Sequence, residues 1–190
     1  IPNLVSMFLS RAALRGDRPF LGFKHGDEWR TISWAETARR VAGLAKSLKA
    51  MGLKKGDRVM LVSENRPEWC IADLAIMAAG CVTVPTYTTN TERDHQHILD
   101  NSQSRAVIVS TAKLAQHLMP AVVRSSECEF VIGGDEGLAH RGVHRLHAAK
   151  IMFEIKNAGN QRYPHWDSQI NPTFFFACRG LPLLRPAFEL

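Results

Sequence analysis

The chain has 190 residues, of which 45% are hydrophobic and 22% are charged, and its formal net charge is +6. These are the proportions of a soluble globular protein, and no apolar run approaches the ~18 residues that a transmembrane helix needs. Residues 1–138 hold 17 Lys and Arg against 15 Asp and Glu, whereas residues 139–190 hold 7 against 3. Because the larger part is nearly balanced, the composition argues against nucleic acid as a partner.

Helical and strand patterns alternate from the start of the chain. An amphipathic pattern predicts a helix over residues 3–15, with three side chains facing inward: Leu4, Met7 and Phe8. Residues 20–24 and 28–32 flank a short turn that contains glycine, His-Gly-Asp, and predict a β-hairpin. A capping-box pattern begins at Ser33, and the helix that it starts is expected to end at Gly52.

The middle of the chain predicts a parallel α/β unit. Four short apolar runs predict buried strands: residues 59–62, 82–84, 106–109 and 130–132. Three helical segments separate them: residues 67–79, 91–101 and 111–119. Asn65 is expected to cap the first of these helices, Pro85 to end the second strand, and Pro120 to end the last helix. The alternation predicts an α/β fold with a partial parallel, doubly wound sheet and right-handed crossovers.

The pattern changes at about residue 139. Beyond it the chain is basic, holds four of the nine prolines, and shows no sustained helical or strand period. We expect one short strand near residues 151–156 and little regular structure after residue 159. The predicted organisation is therefore a domain over residues 1–138 and a divergent, poorly structured tail over residues 139–190.

Three groups of residues that could form a metal site, a phosphate loop or a disulfide framework have simpler explanations. His140, His144 and His147 stand at helical spacing, but a glycine interrupts them and no carboxylate or thiolate is near, so no metal site is predicted. The glycine-rich run at residues 133–137 lacks the Lys of a phosphate loop and carries two acids, which predicts a turn. The four cysteines show no C-x-x-C spacing, which favours free thiols in a reducing, cytoplasmic setting.

Four blocks of sequence, in this order and spacing, resemble the N-terminal segment of the AMP-binding adenylate-forming synthetases, most nearly the long-chain fatty-acyl-CoA ligases. The blocks are WRTISWAETARRVAGLAKSL (29–48), MGLKKGDRVMLVSENRPEW (51–69), AAGCVTVPTYTTNT (78–91) and HILDNSQSRAVIVS (97–110). The resemblance implies a two-step reaction in the full-length family. A fatty acid attacks the α-phosphate of ATP with Mg²⁺ to give an acyl-adenylate and pyrophosphate, and the thiol of coenzyme A then displaces AMP.

The groups that such a reaction needs are not seen in this sequence. The phosphate loop of the family, a Ser/Thr/Gly-rich run followed by Pro-Lys-Gly, is expected soon after the fourth strand, and the chain has no such run. We therefore predict no catalytic residue, no metal ligand and no cofactor bound by this chain alone. The first hypothesis is a fragment of an ATP-dependent acyl-CoA ligase that is inactive by itself. The alternative is a stand-alone α/β binding or interaction module that has lost catalysis, with its tail as a docking segment.

Five residues are candidates for substrate binding. Asn65 and Arg66 follow one predicted strand, and Tyr87, Thr88 and Thr89 follow the next. Open α/β sheets bind ligands beyond the carboxyl ends of their strands, and the resemblance implies that this edge faces the acyl and coenzyme A site. The competing interpretation is a capped helix and a polar loop without a binding role. Such a domain is also expected to self-associate through uncovered apolar surface and sheet edges.

Overall fold

The structure, a computed structural model, describes residues 3–133 and 143–145. These residues form five helices and seven strands: α1 (Leu4–Arg15), β1 (Pro19–His25), β2 (Glu28–Ser33), α2 (Trp34–Ala50), β3 (Arg58–Val62), α3 (Pro67–Ala79), β4 (Val82–Thr86), α4 (Glu92–Ser102), β5 (Ala106–Val109), α5 (Ala112–Arg124), β6 (Phe130–Gly133) and β7 (Val143–Arg145). Strands β1 and β2 form an antiparallel hairpin, and the other five form one sheet in the order β4-β3-β5-β6-β7. Strand β7 is antiparallel to β6, while the remaining pairs are parallel. The predicted α/β fold with a partial parallel sheet is confirmed.

Helices cover both faces of the sheet, because the side chains of each central strand alternate between two cores. One core contains α1, α2 and α3, and β3 contributes Val59 and Leu61 to it. The other contains α4 and α5, and β3 contributes Met60 and Val62. All four of these side chains are fully buried, which explains why the strand reads as an unbroken apolar run.

An aromatic cluster joins α1, the hairpin and α2. The ring of Phe20 lies 3.8 Å from that of Trp34, and the ring of Phe8 lies 5.7 Å from Phe20 and 6.0 Å from Trp34. Helix α1 thus meets the protein along a narrow line formed by Phe8 and, one turn later, Ala12. The prediction that Leu4 and Met7 face inward is wrong, because both lie to one side of this line and are 49% and 40% exposed.

Both predictions that a proline ends an element are wrong. Strand β4 continues through Pro85 to Thr86, because it is an edge strand and one of its sides needs no ladder hydrogen bonds. For the same reason β4 is only half-buried rather than buried as predicted, and its Val82 is 49% exposed. Helix α5 continues through Pro120 to Arg124, because the residues after the proline are buried in the second core.

The helix ends follow the predicted capping chemistry in part. Ser33 accepts a hydrogen bond from the backbone N–H of Glu36, and Gly80 ends α3 in the left-handed conformation with φ of 88°. Helix α4 has a complete capping box between Thr91 and Asp94. The prediction that Asn65 caps α3 is wrong: Arg66 occupies the N-cap position, and no side chain bonds there.

Ion pairs link neighbouring strands at the amino ends of the parallel strands. Arg105, just before β5, donates from Nη1 to Asp57 Oδ2 at 2.6 Å and from Nη2 to Glu129 Oε1 at 2.6 Å. The pKa of Asp57 is lowered overall. Burial alone would raise this pKa, but the hydrogen bonds from the Lys54 amide and from Arg105 stabilise the carboxylate more strongly. The guanidinium therefore ties the start of β5 to the starts of β3 and β6.

Strand β7 was not predicted from the sequence. It pairs with β6 in the register Phe130↔Arg145 to Ile132↔Val143. The strand expected near residues 151–156 lies outside the described residues, as do two of the three clustered histidines. The division of the chain at residue 138 stays a prediction.

Candidate functional site at the carboxyl edge of the sheet

The structure brings the two predicted loops to the same edge of the sheet. The last parallel pair between β3 and β4 is Val62↔Thr86. The loop that holds Asn65 and Arg66 leaves one member of this pair, and the loop that holds residues 87–89 leaves the other. The two loops therefore start from neighbouring strands at their carboxyl ends, where α/β sheets bind ligands.

The five residues predicted to bind substrate differ in their solvent exposure. Asn65 and Thr89 are exposed, Arg66 and Thr88 are half-buried, and Tyr87 is 79% exposed. The Nε of Arg66 donates to Glu68 Oε2 at 2.8 Å, so the guanidinium is held against the first turn of α3. Within the described residues, no side-chain hydrogen bond joins the loop after β3 to the loop after β4.

A hydrogen bond that was not predicted from the sequence links the loop after β3 to the residue that follows β5. Ser110 follows β5 directly, is 2% exposed, and donates from Oγ to Glu64 Oε2 at 2.5 Å. Its backbone N–H donates to the carbonyl of Val62 at 3.0 Å. Ser63 is also buried, and its Oγ donates to the Glu64 carbonyl at 3.1 Å. The rule that selected residues after β3 and β4 would have selected Ser110 after β5.

The described residues near this edge include neither an activated cysteine nor a group of three metal-ligating side chains. Burial, and to a lesser degree Asp73, raises the pKa of the Cys70 thiol near the start of α3, so this cysteine is not an activated nucleophile. Within residues 3–133, no three His, Cys, Asp or Glu side chains come together as a metal would require. The residues that the structure describes thus include no such cluster that could hold Mg²⁺.

A surface concavity of the described residues lies away from this edge. It has a volume of about 510 Å³ and is lined by α4 and the end of α5: Thr91, Glu92, Arg93, Gln96, His97, Asp100 and Arg124. Glu92 pairs with Arg124 across it, so its charges are partly compensated. None of the five predicted residues lines it.

Comparison with known proteins decides the family. A family model described as "AMP-binding enzyme" matches residues 8–159, which is most of the chain. The chain belongs to the AMP-binding enzyme family. The resemblance that the four sequence blocks indicate is thereby confirmed, and the curated relatives of this AMP-binding chain carry the names of long-chain fatty-acid–CoA ligases.

Two curated relatives illustrate the extent of the match. The AMP-binding chain is 37% identical over 83 residues to the long-chain-fatty-acid–CoA ligase FadD15 of Mycobacterium tuberculosis, covering 44% of the chain and 14% of that protein. It is 27% identical over 169 residues to the long-chain-fatty-acid–CoA ligase 6 of Rattus norvegicus, covering 85% of the chain and 24% of the relative. The chain thus spans a minor part of the length of these relatives.

Solved structures share the fold. The N-terminal subdomain of Klebsiella oxytoca NpsA is 30% identical with a TM-score of 0.53, over 57% of this chain and 28% of that one. A benzoate CoA ligase from Burkholderia xenovorans LB400 has a TM-score of 0.62 at 24% identity, over 71% of this chain and 26% of that one.

None of the helices that the structure describes in this AMP-binding chain has the length and apolar character needed to cross a membrane.

Proposed function

We propose that this chain forms the N-terminal part of an ATP-dependent long-chain fatty-acyl-CoA ligase and does not form acyl-adenylate by itself. The observation that carries the proposal is the match to long-chain-fatty-acid–CoA ligases over only 14% to 24% of their length. The described residues offer a sheet edge for binding but no carboxylate cluster for Mg²⁺. Cys70 and Cys81 are free thiols, which supports a cytoplasmic setting.

The carboxyl edge of the sheet would contribute binding contacts for the fatty acid and coenzyme A. Tyr87 offers an exposed ring and hydroxyl, and Thr88 and Thr89 offer hydroxyl groups beside it. Arg66 supplies a positive charge in the loop after β3, and Asn65 supplies an amide. The bond between Ser110 and Glu64 would hold the start of the Asn65 loop in place.

Exchange of pyrophosphate into ATP, with a long-chain fatty acid and Mg²⁺, tests the claim of inactivity. We expect no exchange from this chain above a protein-free blank, while full-length FadD15 serves as the positive control. Exchange that requires both this chain and the fatty acid would show that the groups for adenylation are present after all.

Binding of a fluorescent long-chain fatty acid tests the five residues. We expect Tyr87→Ala to weaken binding by about tenfold if the ring is desolvated by the ligand. Trp29→Ala is the matched control, because Trp29 is 76% exposed but lies on the hairpin. Equal losses from the two variants would mean that the dye adsorbs to any exposed aromatic ring.

The stand-alone binding module stays a second hypothesis, and the presence of two cores on either side of the sheet favours it. In that case the tail would dock onto a partner or onto the domain itself. Limited proteolysis separates the possibilities: rapid cleavage near residue 139 that leaves the rest intact argues against docking within the chain.

We also propose that the isolated chain self-associates. Strand β4 is an edge strand with unpaired backbone groups, and its Val82 is about half-exposed. Sedimentation velocity at rising protein concentration should show species larger than a monomer. A clean monomer throughout would contradict the proposal.

A further inference from the structure

Helix α1 presents apolar side chains to solvent along one flank. Leu4, Met7 and Leu14 are 49%, 40% and 76% exposed. With Arg11 they occupy positions 4, 7, 11 and 14, and intervals of three and four place them in one row along the helix. We call this row the α1 stripe. It lies beside the line of Phe8 and Ala12, through which α1 packs on the protein.

The concentration of exposed apolar groups on α1 is unusual for this protein. Seven large hydrophobic side chains are exposed in the described residues, and four of them belong to this helix. Single exposed hydrophobic residues need no explanation, but a contiguous row of them marks an interaction surface. The fourth is Leu9, which is 45% exposed and lies on the opposite flank, roughly 140° to 160° around the helix from the stripe.

The charge around the stripe is positive. Helix α1 contains no Asp or Glu, and Arg11 lies within the stripe. Arg15 is in the last turn of α1 with its guanidinium 5.6 Å from the Trp34 ring. The next loop adds Arg18 and one acidic residue, Asp17, so the net charge of residues 4–18 is +2. None of these three arginines forms a salt bridge within residues 3–133, so their charge is available to a partner.

We propose that the α1 stripe binds an anionic lipid surface. Leucine and methionine side chains next to arginine suit the boundary between headgroups and acyl chains, where the apolar groups insert and the guanidinium meets phosphate. With its 12 residues, α1 is about 18 Å long and would lie in the plane of the surface rather than across it. This inference does not depend on the proposed function, because it rests on exposure and charge alone.

Co-sedimentation of the full chain with lipid vesicles tests the proposal. We expect binding to vesicles of equal parts phosphatidylglycerol and phosphatidylcholine, and much weaker binding to phosphatidylcholine alone. Leu4→Ser and Leu14→Ser should each lower the partition coefficient about tenfold. Arg11→Gln should lower it about fivefold on the anionic vesicles only. Added salt should weaken binding of the wild-type chain.

Leu9→Ser is the matched control, because it removes a leucine about as exposed as Leu4 from the same helix but not from the stripe. Its partition coefficient should stay within about twofold of the wild-type value. Far-UV circular dichroism should be unchanged in all variants, since each altered side chain is exposed.

Four results would overturn the proposal. The first is an absence of wild-type binding to the anionic vesicles, and the second is equal binding to neutral ones. The third is an equal loss from Leu9→Ser and Leu14→Ser. A stripe that serves a second copy of the chain would instead give dimers in sedimentation velocity that Leu14→Ser dissociates, without vesicle binding, and this too would refute the lipid assignment.

Discussion

His95 is a buried polar side chain of α4. It is 1% exposed, and its Nδ1 is buried with no hydrogen-bond partner among the residues that the structure describes. Burial lowers the pKa of His95 below its ordinary value of 6.5, and His117 lowers it further, while Asp94 opposes both. The folded chain therefore keeps this imidazole neutral at a pH where the unfolded chain protonates it.

Replacing His95 by leucine should stabilise the protein. An unsatisfied buried polar atom costs about 1 to 3 kcal/mol, and leucine of similar volume removes that cost, so we expect a gain of about 1 to 2 kcal/mol near neutral pH. Below pH 6.5 the unfolded wild-type chain binds a proton that the folded chain resists, so wild-type stability falls as pH is lowered toward the depressed folded pKa. The advantage of the variant should then grow by up to about 1.4 kcal/mol per pH unit.

Urea unfolding followed by circular dichroism, at about pH 7.5 and about pH 5.5, measures this difference. His97→Leu is the control, since His97 is two residues along the same helix but exposed, and its effect on the free energy of unfolding should be small. The reasoning fails if His95→Leu is less stable than wild type, or if both histidine variants show the same dependence on pH.

Three further changes test the packing and the sheet edges by the same unfolding assay. Arg105→Met should lower the free energy of unfolding by about 2 to 3 kcal/mol, because it leaves two partly buried carboxylates without their cation. Its control is Arg30→Met, which breaks an exposed ion pair and should lower the free energy of unfolding by less than about 0.5 kcal/mol. Gly80→Ala should lower the free energy of unfolding by about 1 to 2 kcal/mol, because the backbone φ there is 88°. Gly43→Ala is its control: Gly43 is an exposed helix residue with free space around it, and the change should raise the free energy of unfolding by about 0.5 to 1 kcal/mol. Ser110→Ala should cost about 1 kcal/mol through its lost hydrogen bond, and an unchanged value would show that the bond is not formed in solution.

Most of the sheet could be predicted from the sequence because its strands are short apolar runs between turn residues. The strand predicted at residues 106–109 agrees with β5 at both ends, and the one at residues 59–62 lacks only Arg58. The proline rules failed because they are local. Pro85 is tolerated by the position of β4 at the edge of the sheet, and burial of the residues after Pro120 keeps α5 helical, so tertiary packing overrode both.

Other features could not be read from local patterns because they depend on strand order. Strand β7 has the sequence Val-His-Arg, which has no strand signature and is ordered by its pairing with β6. The contact between Glu64 and Ser110 requires β5 to lie next to β3, although β4 comes between them in the chain. A βαβ alternation does not by itself specify which neighbour each strand takes.

The two halves of the candidate site differ in how firmly the fold holds them. The loop after β3 is held at Glu64 by Ser110 and at Arg66 by Glu68, so its groups are positioned before any ligand arrives. The loop after β4 has a backbone hydrogen bond of 3.3 Å from the N–H of Asn90 to the carbonyl of Tyr87, and the Tyr87 side chain projects into solvent. Because ordering a free side chain costs about 0.5 to 1.5 kcal/mol, a contact with Tyr87 would add less to the affinity of a ligand than an equal contact with a side chain that is already positioned.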